Sequence, residues 1–372
     1  MYEIIKLPDG VFKDANVETM IFMLQKNSTE ENVNCLIFKR NDIITEIKTN
    51  SEFFIGKNEW KKNGSIFNLY VSSSILSILA KIEKSKKHLI EMADFSLGIT
   101  PYDKYKGHSE DIIKNRKFHS STKIDESYKP LIDGSNIIRF FVSPTEKEYI
   151  KYGDWLGAKR EERFFTEPRI IVRQIVSGNP PRIYAGYTEQ PLYFTQIGFS
   201  IIAKGDINNK TLLCILNSDL MNFYHKFKFL DLEKDIFQKV LIANCKEFPI
   251  SEISLEAQQS FIALADKMLT LNETLQKKST NFLKVVKQTF ALEKISTKLE
   301  TFYNLDFDGF MKELKQKVTP KTKLEWLEVF EETKKSLQEI QTQIAATDKE
   351  INALVYKLYD LTEEEIKIVE GR

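Results

Sequence analysis

Ile351–Gly371 reads INALVYKLYDLTEEEIKIVEG, and its apolar positions Ile351, Leu354, Val355, Leu358 and Leu361 recur at helical spacing. Thr362 then offers a hydroxyl to cap a new turn. Glu363, Glu364 and Glu365 stand where the positive end of a helix dipole favours carboxylates. The stretch predicts two helices broken at Asp360–Leu361. Upstream, Phe330, Leu337, Ile344, Ile351 and Leu358 sit at intervals of seven, so the first helix is the end of a long one. Earlier still, Phe261, Leu264, Met268, Leu271, Leu275, Phe282, Val285, Leu292 and Leu299 form a seam spaced three and four, with Lys278, Thr289 and Ser296 as polar breaks. A connector with a short helix (Phe307–Lys317) and Thr319-Pro320 lies between the two seams. Two long amphipathic helices joined in this way predict an antiparallel hairpin within one chain. The rival is a coiled coil between chains, which polar Lys334, Gln341 and Asp348 weaken.

From Met92 to Ile250 the pattern changes to short strands and turns. Ile137–Val142, Arg169–Val176, Arg182–Tyr187 and Phe199–Ala203 read as strands, and Lys210–Phe227 as a helix. Upstream, Ser72–Lys87 reads as an amphipathic helix with Ile75, Leu76, Leu79 and Ile82 on its apolar side. Residues 1–50 read as strand, helix, strand, with the helix at Val17–Gln25 and the second strand at Val33–Lys39. The expected fold class is α+β, a mixed α/β domain followed by a long helical hairpin.

Four phrases carry a resemblance: Pro130–Arg139 (PLIDGSNIIR), Arg169–Ser177 (RIIVRQIVS), Leu216–Lys226 (LNSDLMNFYHK) and the C-terminal stretch. In this order they resemble the TaqI-like C-terminal specificity domain of type IIG restriction-modification proteins, which fuse an adenine-specific DNA methyltransferase to a target-recognition domain. Gly10–Leu24 (GVFKDANVETMIFML) resembles the last part of the methyltransferase domain in the same proteins. The resemblance implies a methyltransferase remnant at residues 1–50, a connector at 51–90, a target-recognition domain at 91–250 and a helical region at 251–372. It implies double-stranded DNA as partner, together with a methyltransferase or nuclease part. S-adenosylmethionine and magnesium would belong to that catalytic part and not to this chain. The chain is then a truncated gene product, an isolated domain or a subunit whose catalytic partner is separate. The alternatives are the specificity subunit of a multi-subunit restriction system, or a coiled-coil assembly protein without DNA binding.

Composition bounds these readings. The 372 residues suffice for two or three domains, and 42% hydrophobic with 12% aromatic content is that of a folded soluble protein. Cys35, Cys214 and Cys245 are odd in number and widely spaced, which argues against a disulfide framework or a structural zinc site. His88, His108, His119 and His225 lack metal-ligand spacing. No secretory signal pattern or membrane-spanning apolar run is present, so a cytoplasmic location is expected. Net charge is +1, but Leu156–Ala185 holds six basic residues against three acidic, and Thr301–Arg372 eleven against fifteen. A basic middle and an acidic tail fit one DNA-facing surface on an otherwise balanced molecule.

No catalytic motif stands. Asn179-Pro180-Pro181-Arg182 looks like the catalytic tetrapeptide of adenine methyltransferases, but Arg182 occupies the aromatic position that would stack on a flipped base. Within a Gly-rich stretch it reads as a hairpin turn. Glu-x-Lys occurs five times, as chance allows in so charged a chain, and Asp42 is too close to Glu46–Lys48 to come from a separate strand of a nuclease site. What remains is recognition. Lys159, Arg160 and Arg163 cluster just before the strand that carries Arg173 and Gln174, and Arg182 follows. Arg forks can bridge phosphates or read guanine, and Gln can pair with adenine. A structural ion pair is the competing account of Arg173. The loop Asp103–Lys123 carries Lys104, Lys106, Arg116 and Lys117 among aromatic residues, and reads either as a solvated loop or as one that orders on DNA.

Overall fold

The computed structural model describes the chain except residues 13–16, 28, 40–41, 48–51, 63–68, 85, 145–146, 177, 179–180, 231, 233–237 and 317, with the backbone alone at 59, 61 and 62. The described residues form two compact bodies. One comprises Met1–Ser85, Tyr224–Lys234 and Leu361–Arg372, the other Lys86–Phe223 and Asp235–Asp360.

The first body is built on a four-stranded mixed sheet in the order Met20–Met23, Glu3–Lys6, Asn32–Ile37, Glu52–Gly56. Glu3–Lys6 runs parallel to Asn32–Ile37 and antiparallel to Met20–Met23, with Ile5 opposite both Leu36 and Ile21. Ile4, Val33, Cys35 and Ile55 pack with Trp60 and Leu69 as its core. The helix expected at Val17–Gln25 is therefore a strand over Met20–Met23. A short apolar run has no period that separates the two states, and backbone pairing with Glu3–Lys6 decides it. Helix Ser73–Glu83 starts at the Ser72 cap, where the side chain accepts from Ile75 N, and buries Ile78, Leu79 and Ile82. Helix Glu363–Val369 follows the expected break, and Thr362 and Glu365 form a reciprocal capping box. Burial pushes the Glu365 carboxyl up, but hydrogen bonds from Lys81 and Thr362 outweigh this and hold it below the usual range.

The second body holds two larger sheets, a two-stranded pairing of Lys87–His88 with Pro249–Ile250, and the hairpin. The five-stranded sheet runs in the order Ala93–Leu97, Gly198–Ala203, Arg169–Arg173, Ala185–Thr188, Phe140–Phe141. All neighbours are antiparallel except the last pair. Ile170, Ile171 and Val172 are wholly buried on its central strand, each worth about 1.5–3 kcal/mol. The four-stranded sheet runs Tyr193–Phe194, Tyr128–Ile132, Tyr149–Lys151, His119–Ser120. Three expected strands are shorter than their sequence patterns. Arg169–Val176 ends at Arg173. Ala185–Thr188 replaces Arg182–Tyr187, and Phe140–Phe141 with a lone bridge between Ile137 and Val142 replaces Ile137–Val142. The hairpin turn expected at 179–182 begins outside the described residues.

The helix expected over Lys210–Phe227 is two helices, Asn209–Asn217 and Asp219–Phe229. Ser218 between them is extended and its hydroxyl accepts from Met221 N at 3.1 Å, so a residue that competes for backbone hydrogen bonds ends one helix and starts the next. Helix Asn209–Asn217 is buried from Thr211 to Asn217, and the Asn217 amide both donates to and accepts from the backbone of Ala185.

Helices Leu255–Thr289 and Pro320–Leu358 form the antiparallel hairpin, with Lys267 near Glu350 and Lys278 bonded to Ser336. Phe330, Leu337 and Ile351 are buried as their spacing predicts. The facing seam differs from the expected one. Ala265, Asn272, Ser279 and Val286 are buried with Phe261, Met268 and Phe282, whereas Val285 is 52% exposed. The first helix ends at Thr289, so Leu292 and Leu299 lie in the connector, where Phe282, Phe302, Phe310 and Phe330 close the hairpin end. Asp348, expected to weaken a zipper, accepts both guanidinium nitrogens of Arg139 at 2.7 and 2.9 Å.

Candidate nucleic-acid interface

The loop that follows the edge strand Ala93–Leu97 is shaped by side-chain bonds. Asp103 Oδ1 accepts from Tyr105 N at 2.9 Å and opens a short 3-10 turn, Lys104–Lys106, which ends at Gly107 in the left-handed conformation. His108 Nδ1 accepts from Asp103 N at 3.0 Å, so Nε2 carries the proton donated to Trp155 O at 2.8 Å. Beneath the turn, Tyr102 stacks on Phe118 and His119. The Tyr102 hydroxyl accepts from Phe118 N and donates to His119 Nδ1 at 2.8 Å. Burial and the neighbouring Arg116 charge pull the His119 pKa down to about 4, which keeps the ring neutral as this bond requires.

The second basic segment lies directly against the first. Thr100 and Ala158 exchange backbone hydrogen bonds at 2.9 Å, and Gly157 N donates to Pro101 O. A Cβ on Gly157 would meet Asp103 Cβ at 2.7 Å, so only glycine permits this approach. The two stretches that the sequence offered separately, around Lys104–Lys106 and around Lys159–Arg160, are therefore neighbours. Lys104 and Lys106 are exposed. Lys159 pairs with Asp154 at 3.0 Å and lies over the Tyr152 ring. Arg160 is exposed at φ +66°, a conformation that costs a non-glycine residue about 1–2 kcal/mol. Lys151 covers the partly exposed Trp155 ring in the same segment. Lys151 and Trp155 carry no sequence signal beyond closeness to the basic window.

The remaining residues scatter. Arg116 pairs with Glu148 at 2.7 Å and Lys117 with Asp111 at 3.5 Å, both at the surface, where such pairs are worth about 0–1 kcal/mol and exchange readily for another anion. Arg173 ends the central strand beside the Gly134 turn and stacks over Tyr184. Gln174 N donates to Ile197 O, and Gln196 bonds Thr100, so this strand end is tied to the paired loops. Arg163 is engaged by Asp94 and Glu161 and lies over Phe164. Burial would raise the Asp94 carboxyl, but bonds from Arg163 and Lys204 hold it below its usual range. Arg182 joins Asp219 and the Asn217 carbonyl, inside the packing of the helices. Arg169, counted in the basic window, is wholly buried and donates to the carbonyls of Glu167, Gln190 and Leu192. Burial pulls its pKa down to about 10. Among the described residues no group of three His, Cys, Asp or Glu could hold a metal ion, and no helix is long and apolar enough to cross a membrane.

Residues 129–250 match the TaqI-like C-terminal specificity domain, and residues 254–355 match a domain of unknown function, DUF8810. A protein of Methanocaldococcus jannaschii named as a type II restriction enzyme and methyltransferase is 27% identical over 259 residues, 67% of this chain. The chain spans 20% of the length of that relative. Two solved structures are similar at 11% identity. The type IIG restriction endonuclease BpuSI has a TM-score of 0.37 over 71% of this chain and 38% of its own. The HsdS subunit from Thermoanaerobacter tengcongensis has a TM-score of 0.31 over 66% of this chain and 50% of its own. Residues 129–250, which hold most of both sheets and the buried helix Asn209–Asn217, belong to the TaqI-like C-terminal specificity domain family.

Proposed function

We propose that this chain recognises a sequence in double-stranded DNA as the specificity part of a restriction-modification enzyme. The observation that carries the reading is the pairing of the two basic loops beside a specificity-domain sheet, through Thr100 and Ala158. This sets Lys104, Lys106, Lys159 and Arg160 on neighbouring segments with solvent before them. Cations on rigidly joined loops suit phosphates, while one of the neighbours Arg173 and Gln174 at the adjoining strand end, which point opposite ways, has the chemistry to read guanine or adenine. The catalytic steps belong to a methyltransferase or nuclease part, where S-adenosylmethionine and magnesium would act, and the setting would be the cytoplasm. The chain by itself transfers no methyl group.

The test is titration of random-sequence duplex at several salt concentrations. Affinity should fall with salt at a slope of about −0.9 per neutralised phosphate. Replacing Lys104, Lys106, Lys159 and Arg160 together by Ala should weaken binding to all sequences alike and reduce the steepness of that slope by about 3–4. Equal affinity of the two proteins would move the DNA surface elsewhere.

A further inference from the structure

Tyr105 stands at the tip of the first basic loop with its side chain 100% exposed. A ring of this size covers about 150–250 Å² when it is packed, so full exposure leaves a large stacking surface in water. The backbone beneath it is held on several sides. Asp103 accepts from Tyr105 N through its side chain and from Lys106 N and His108 N through its carbonyl, and Gly107 N returns to Lys104 O. His108 fastens the turn to the Trp155 carbonyl. The ring is thus presented by an ordered turn, and little backbone entropy is left to lose on binding. Lys104 and Lys106 flank it, so the tip combines one π-face with two cations.

We propose that Tyr105 is the stacking residue of the interface: its ring enters the duplex at an unstacked step and lies on a base, while Lys104 and Lys106 neutralise phosphates on either side. This deepens the DNA-recognition reading and rests on it. Every base offers a π-face, so such a contact supplies affinity and local distortion without choosing a sequence. It thereby differs from the direct reading open to Arg173 or Gln174.

The experiment compares wild type, Tyr105→Ala, Tyr105→Trp, Lys104→Ala and Lys106→Ala on two random-sequence duplexes, one fully paired and one with a single unpaired base. The unpaired base lowers the cost of unstacking, so wild type should bind that duplex more tightly. Tyr105→Ala should lose this preference and weaken binding roughly five- to 150-fold, with its salt slope unchanged. Tyr105→Trp should keep the preference. Each Lys variant should instead lower the slope by about 0.9. Tyr105 is 100% exposed and packs against none of the described residues, so its variants should melt like wild type. If Tyr105→Ala binds both duplexes like wild type while the Lys variants change the slope, the stacking role is overturned and the DNA reading stands. If wild type shows no salt-dependent binding to either duplex, both are overturned.

Discussion

His119 carries the residue-scale consequence of the loop architecture. Its neutral ring accepts the Tyr102 hydroxyl proton, and its pKa lies near 4 against an ordinary 6.5. Between these values the unfolded chain binds a proton that the folded chain refuses. Stability present above pH 6.5 is therefore lost progressively as pH falls toward about 4. His225, pulled down to about 4 by burial, contributes in the same window. Thermal melts across that range should show His119→Gln losing less stability on acidification than wild type, because a Gln carbonyl can accept from Tyr102 without titrating. Identical pH slopes would remove His119 from the account. The sequence shows two His in a polar loop but not this role, which depends on an aromatic stack assembled from residues 102, 118 and 119. In the same way Arg169 and Arg160 are equal charges in a sequence, and only the fold buries one and exposes the other.

At the scale of elements, the hairpin tests how far periodicity reaches. Both long helices follow from apolar spacing, and their caps at Ser254 and Thr319 are those that Ser and Thr hydroxyls provide. The face that one of them buries follows only in part: Phe261, Met268 and Phe282 are buried as spaced. Leu264, Leu271 and Val285 are the apolar row, yet Ala265, Asn272, Ser279 and Val286 lie one step further round the helix and are buried. Small side chains allow close approach, and Asn272 satisfies its amide on the Met268 carbonyl at 2.8 Å. Val286→Lys should cost about 3 kcal/mol in urea unfolding, since it buries a charge without a partner. Val285→Lys should stay within about 0.5 kcal/mol. The opposite order would restore the seam that hydrophobicity alone suggests.

At the scale of the whole molecule, the second body is joined by a polar clamp between its sheets and its hairpin. Arg139 spans Asp348 and the Asn217 carbonyl, while Asp219 receives Asn352 and Arg182. Arg139 and Asp348 are 20% and 16% exposed, so removing one partner strands a charge where water reaches poorly. Asp348→Ala should cost about 2–3 kcal/mol, somewhat below the 3–5 kcal/mol of a fully buried pair. Arg139→Met with Asp348→Leu should recover most of this in chemical denaturation. A double variant no more stable than Asp348→Ala would mean that the ion pair sets the geometry of the joint rather than its strength.

The α+β class, the long hairpin helices and the cap at Thr362 were set by the sequence itself, because they depend on local spacing and on residues within one turn of each other. The resemblance to the specificity domain was legible in phrases such as RIIVRQIVS, whose first five residues, Arg169–Arg173, form the central strand. Tertiary structure alone decided that residues 20–23 pair as a strand, that a helix breaks at Ser218, and that Asp348 serves Arg139. It alone brought Lys104–Lys106 beside Lys159–Arg160. These outcomes rest on partners far away along the chain, and a sequence records which groups a residue carries but not which distant groups will meet them.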